Sequence, residues 1–248
     1  MRFLLLLALI AVALVVRAPA WLAAREVQQA SSGILELRST SGTLWRGQGD
    51  LVVHGPRPVM RETSAGIVHW NIERMDLARK TATIKIEQSP PGPQPLTMTL
   101  GVDRVDIAGS ALVPADVAMS LPLLAGWTLA GVATIETPAL QWANGSAAGT
   151  AIVHWRNAAL FPPDLPGGFL LGDVDGNATV SSGPIGASVR NQGGDVELAI
   201  DASSQTGKIA LLVQPRNHAS AAQVAWLQSH TMGRTPQGFR IDIGWPGR

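Results

Sequence analysis

Few residues in this chain have types and spacings that could do chemistry, and each such set has a plainer structural role. Histidines stand at 54, 69, 154, 218 and 230. Imidazole nitrogens bind zinc or move protons, but metal ligands on one element need a spacing such as His-Glu-x-x-His or His-x-His, and neither occurs. His69 and His154 each precede a tryptophan in a strand-like run, so they read as strand residues. Asp173-Val174-Asp175-Gly176-Asn177 has the look of an opening calcium loop. Such a loop needs Gly sixth and a bidentate Glu twelfth. Here Gly is fourth and Pro184 stands twelfth, so the stretch reads as an Asx-rich hairpin turn.

No Gly-x-Ser-x-Gly elbow, phosphate-cradling glycine loop or nucleotide fingerprint is present. The acidic residues are dispersed, with no pair to serve as general acid and base. Cysteine is absent, which removes thiol catalysis, disulfides and Cys-ligated zinc. The expectation is a protein that is not an enzyme and that uses no cofactor and no metal. A net charge of +1 and the lack of a basic stripe set nucleic acid aside as a partner.

The elements that would position any site are strands. Charged residues make up 15% of the 248, against about 25% in an average soluble domain, while 26 Gly and 17 Pro punctuate the chain. Apolar and polar residues alternate at Ala82-Ile84-Ile86, Leu96-Met98-Leu100-Val102, Val117-Met119-Leu121, Val196-Leu198-Ile200 and Phe239-Ile241-Ile243-Trp245. Period-two alternation means one buried and one wet face, as in an antiparallel sheet. Turn signals fall at Gln88 to Pro95, Asn144-Gly145, Asp175-Gly176-Asn177, Gly193-Gly194 and Thr206-Gly207. One helix is expected over about Ala219 to Thr231, with Ser220 as N-cap, Val224, Trp226 and Leu227 as an apolar stripe, and Gly233 to end it. Of the eight tryptophans, Trp45, Trp70, Trp127, Trp142 and Trp155 sit at strand-like positions and read as core or sheet-rim packing.

Ile67-Val68-His69-Trp70 recurs as Ile152-Val153-His154-Trp155, and Thr43-Leu44 recurs at the same offset as Thr128-Leu129. A duplication would give two similar halves, 40–125 and 126–248, sharing one sheet.

The N-terminus is of another kind. Phe3 to Val16 carries no polar side chain and lies between Arg2 and Arg17. A basic start before an apolar run delivers a chain to a bacterial inner membrane. The run alone is short for a span of about 20 residues. Two readings remain open: a helix from Phe3 to about Ala24 kept as an anchor, with Trp21 at the interface, or a leader cleaved at Ala18-Pro19-Ala20. The anchor is the preferred reading, giving residues 1–24 as a transmembrane helix, 25–39 as a juxtamembrane segment and 40–248 as the body. The positive-inside rule then puts the body in the periplasm, on a single-pass protein of the inner membrane.

Ser41-Gly42-Thr43-Leu44-Trp45-Arg46-Gly47 resembles the opening of protein N of the bacterial type II secretion system, whose next strand ends in Trp, here Trp70. Val189-Arg190-Asn191-Gln192-Gly193-Gly194-Asp195-Val196 is similar to that family's Asn-x-Gly-Gly step. Leu212-Val213-Gln214-Pro215-Arg216 then precedes the short helix and a terminal strand, as in the family. The same opening is shared, more distantly, with AsmA-like β-groove proteins. The resemblance implies a mainly β protein: an N-terminal transmembrane helix, then an extended, curved antiparallel sheet with one short C-terminal helix. Its motif residues are expected to be structural: Gly42, Thr43, Leu44, Trp45, Gly47, Trp70, Trp155, Asn191, Gly193, Gly194, Pro215 and Arg216. It implies a non-enzymatic component of the secretion machinery, with other inner-membrane platform subunits as partners. Lipid binding in an AsmA-like groove is the alternative.

Overall fold

The computed structural model describes residues 16–54, 62–115, 126–230, 233–235 and 238–244. A short helix α1 (Trp21–Ala30) precedes the strands β1 (Leu35–Gly42), β2 (Arg46–His54), β3 (Glu62–Asp76), β4 (Thr81–Ser89), β5 (Leu96–Leu100) and β6 (Arg104–Pro114). There follow β7 (Thr128–Ala143), β8 (Ser146–Phe161), β9 (Phe169–Ser181), β10 (Ile185–Gln192), β11 (Val196–Ser203) and β12 (Lys208–Pro215). Helix α2 (Ala221–His230) then leads to β13 (Gly233–Thr235) and β14 (Gly238–Gly244).

All of these strands form one 14-stranded sheet in the order of the sequence, except that β14 pairs with β12 and leaves β13 at the edge. Every pairing is antiparallel. Successive hairpins therefore alternate between the two ends of the sheet. Turns after β1, β3, β5, β7, β9 and β11 lie at one end, called here the near end; those after the even-numbered strands lie at the far end. The β7–β8 turn shows why such a sequence turns where it does. Asn144 and Gly145 both adopt positive φ (52° and 76°), the geometry of a two-residue turn matched to the twist of its strands.

Alternation makes the sheet two-faced. Cross-strand partners share a face, and Ile72, Ile84, Met98, Ile107 and Leu140 stand opposite one another across β3 to β7. A parallel row nearer the turns joins Met75, Ala82, Leu100, Val105 and Trp142. The other face carries ion pairs: Lys85 with Glu87, Arg104 with Asp106, Arg156 with Asp173, and Arg190 with Asp201. Over the C-terminal strands the apolar face is covered by α2 and the 162–168 loop. There Leu171, Val174, Val196, Leu198, Val213, Leu227 and Phe239 form the core, with Trp155 and Trp226 against it. Over β4 and β5 no residue is fully buried. Strand β5 is also too short to separate its neighbours along their whole length. Gln88 bridges that gap, donating to the carbonyls of Ala65 and Leu112 and accepting from the Leu112 N–H.

Several expectations are corrected. Asp173 to Asn177 is no turn but the middle of β9. Its polar residues occupy alternate positions, so Asp173 and Asp175 meet Arg156 and His154, while Asn177 accepts from the Ser188 hydroxyl. Gln88 and Ser89 still belong to β4, and Val102 lies beyond β5 in a turn. Trp45 sits in a turn and Trp127 just before β7, rather than in strands. Gly233 opens β13 instead of capping a helix. The strands at 117–121 and the residue Trp245 lie outside the described residues, as do residues 3–15 of the expected anchor.

The described part of that anchor is not one helix. The chain leaves helical geometry at Arg17, Pro19 forms a β-bridge with Thr43, and α1 starts afresh at Trp21. Proline removes a helix donor and pushes the residue before it out of helical geometry. The helical run is therefore broken between Arg17 and Ala20. Among the described residues, no helix is long and apolar enough to cross a membrane. Segment 25–39 holds the rest of α1 and the start of β1, because Leu35 and Leu37 already alternate with polar neighbours.

Truncating Leu171 beneath α2, or Leu227 on its buried face, to alanine should cost about 2–5 kcal/mol, and Met98→Ala in the uncovered row distinctly less. Urea unfolding of the purified variants measures the difference.

Candidate functional site

The motif residues gather into two backbone clasps, one at each end of the sheet. The first is built on the β1–β2 turn at the near end. Thr43 closes the turn, its N–H donating to the Arg46 carbonyl at 2.8 Å while its hydroxyl accepts from the Arg46 N–H at 3.2 Å. This fixes the backbone of Gly42 to Leu44 as a docking edge for the incoming chain. The Leu44 N–H donates to the Ala18 carbonyl at 2.7 Å, and the Ala20 N–H to the Gly42 carbonyl at 3.3 Å. Ala20 is buried as a result.

Trp70 of β3 locks the same turn from beneath. Its indole N–H donates to the Leu44 carbonyl at 3.1 Å. Gly47, directly opposite in the ladder, leaves room for the ring, because a Cβ there would run into the indole. Trp45 contributes its carbonyl, which accepts from the Ile72 N–H at 2.8 Å. Trp155 repeats the device between β7 and β8. Its indole N–H donates to the Ala130 carbonyl at 3.0 Å, beside Gly131.

The second clasp lies at the far end, on the turn between β10 and β11. Asn191 is 7% exposed and uses its whole amide. Its NH2 donates to the carbonyls of Leu171 at 2.7 Å, Val196 at 2.8 Å and Gly193 at 3.2 Å. Its oxygen accepts from the Leu198 N–H at 2.6 Å. Gly193 and Gly194 turn the chain at φ of 83° and 75°, and a Cβ on Gly194 would strike the Leu170 carbonyl. Arg216, following Pro215 at the end of β12, donates its guanidinium to the Gly193 carbonyl and its N–H to the Asp195 carbonyl.

One residue that sequence reasoning passed over, Gln223, completes this clasp together with Ser220, the expected N-cap. Gln223 is buried and donates to the Gly168 carbonyl at 2.7 Å and the Asp195 carboxylate at 2.8 Å, tying α2 to the sheet. Its oxygen accepts from the Ser220 N–H while the Ser220 hydroxyl accepts from the Gln223 N–H, a reciprocal capping box. The Ser-x-x-Gln spacing was a legible signal for that box. Nothing local signals the contact with Asp195, which lies far off in the β10–β11 turn.

Titratable groups are paired with one another at the surface. Arg38 bonds both Glu36 and Glu62, at 2.9 and 2.7 Å, and holds both carboxyls below their ordinary values. His54 adds a 2.8 Å contact to Glu36, and His154 lies 2.6 Å from Asp175. Asp164 accepts from the Trp226 indole N–H at 2.8 Å, and this bond lowers its pKa; His230 stacks on the same ring and reaches Asp164 at 3.0 Å. Among the described residues, no three His, Asp or Glu side chains gather where a metal could be held.

One antiparallel sheet, whose motif side chains grip backbone, defines a mainly β, single-sheet protein. Residues 34–236 match the family of type II secretion system (T2SS) protein N, and the chain belongs to that family. No curated protein and no solved structure matches it.

Asn191→Ala leaves the Leu198 N–H and two carbonyls unpaired in the core and should lower stability by about 2–4 kcal/mol, read by urea unfolding. A second test uses pH. The contribution of Asp164 is present above the ordinary carboxylate range and disappears as pH falls through its lowered pKa. The gap in thermal stability between the native chain and Trp226→Phe should therefore narrow below about pH 4.

Proposed function

We propose that this type II secretion component is a single-pass inner-membrane subunit with its sheet in the periplasm. It supports export of folded proteins across the outer membrane through contacts with other platform subunits, and not as an enzyme. Family membership over residues 34–236 carries the reading. The Arg-flanked apolar run before residue 17 supports the membrane attachment. The motif residues support a structural role, since each clasp spends its polar groups on backbone: Asn191 on three carbonyls and one N–H, Trp70 on Leu44.

Contacts with partners have two obvious sites in such a sheet. Strands β1 and β13 are each paired on one side only among the described residues, and an unpaired edge accepts a further strand. Removing the gene from a strain with a working secretion system should leave exoproteins in the periplasm, measured by fractionation. Normal export would overturn the role. Mild crosslinking in cells expressing the whole system should recover platform subunits with the chain.

One observation favours a second reading, a lipid-binding groove. The row Ile84, Met98, Ile107 and Leu140 is only half-buried, and neither described helix lies over it. Mass spectrometry of the purified body for co-purifying phospholipid decides between the two.

A further inference from the structure

The near end of the sheet carries apolar side chains that the fold leaves in solvent. Leu77 in the β3–β4 turn is 82% exposed, and Val102 in the β5–β6 turn is 70% exposed. Just behind them, Trp142 and Met75 are 54% and 51% exposed. These are no scattered surface residues. Met75 and Trp142 terminate one cross-strand row whose middle members, Leu100 and Val105, are half-buried, and the two turns continue that row outward. A contiguous apolar rim of this kind marks a surface that meets something other than water.

The position of the rim says what it meets. The N-terminal lead-in is pinned to the β1–β2 turn through Ala18, Pro19 and Ala20, and that turn is at the same end of the sheet. The apolar run of residues 3–16 therefore joins the body on the side where Leu77 and Val102 project. The geometry points to a lipid surface as the occupant: the hairpin tips after β3 and β5 rest in the bilayer interface, with Trp142 at headgroup level. This inference rests on the membrane attachment proposed above.

A tryptophan beside aliphatic side chains is the usual equipment for that depth. The tips carry Asp76 and Asp103 as well as Arg79 and Lys80, so the attraction is apolar and not a matter of net charge. It should survive raised salt. The sheet would then stand with its strands rising from the membrane and its far-end clasp held away from it.

The chain has no cysteine, which permits single-site labelling. Leu77→Cys and Val102→Cys, with Gln94→Cys and Asn217→Cys as exposed controls at the far end, are made in the full chain. Each is labelled with an environment-sensitive fluorophore and reconstituted into phosphatidylethanolamine–phosphatidylglycerol vesicles. Lipids spin-labelled on the acyl chain should quench the labels at 77 and 102 by about twofold or more and leave those at 94 and 217 unchanged. Equal quenching at both ends, or none at the near end, overturns the inference, as does a blue shift without lipid quenching, the sign of a protein neighbour. Flotation of the same samples separates the two readings. A chain that floats with unquenched tips overturns the inference alone; one that fails to float overturns membrane attachment with it.

Discussion

The structure depends on pairing between strands that follow one another in the chain. A single-layer sheet has no second sheet to share the burial of its apolar side. Its cohesion must come from ladder hydrogen bonds and from rows of side chains between adjacent strands. Half of this sheet gains more, because α2 and the loop before β9 close over Leu171, Val196 and Val213. The stretch over β4 and β5 does without such burial among the described residues. It relies on Ile84, Met98, Ile107 and Leu140 touching sideways across the ladder. The protein is thus one sheet with two regimes of packing.

The clasps make sense in that setting. A long meander is most easily undone where a turn or an edge leaves backbone groups without ladder partners, and buried unpaired groups are costly. Asn191, Gln223 and Gln88 each supply an amide at such a place, and an amide can both donate and accept. The two tryptophans act likewise with one donor each: Trp70 holds the turn that receives the N-terminal lead-in, and Trp155 holds the start of β7. Glycines opposite the rings, Gly47 and Gly131, are the space those rings need.

Much of this was legible in the sequence. Alternation located β4, β5, β11 and β14, because apolar and polar residues take turns along each of them. The Asn144-Gly145 and Gly193-Gly194 turns announced themselves through residues that tolerate positive φ. The family resemblance rested on residues now seen to hold backbone. What failed to show was non-local. Asp173-Val174-Asp175-Gly176-Asn177 is rich in turn formers, yet Arg156, His154 and Ser188 on neighbouring strands draw it into a ladder. Pro19 belonged to an apolar stretch by composition, but its partner Thr43 lies on a later turn. The role of Gln223 in joining α2 to Asp195 likewise has no trace in local spacing.

The order of the strands has a consequence for how such a molecule comes into being. Because nearly every strand bonds to the one made just before it, no rung waits for a distant segment, and the chain can zip as it emerges. The exception is β14, which reaches back past α2 to β12, so that this rung closes only once the helix between them has been made. Until α2 is in place, Leu171, Val196 and Val213 form a greasy flank that a chaperone would recognise.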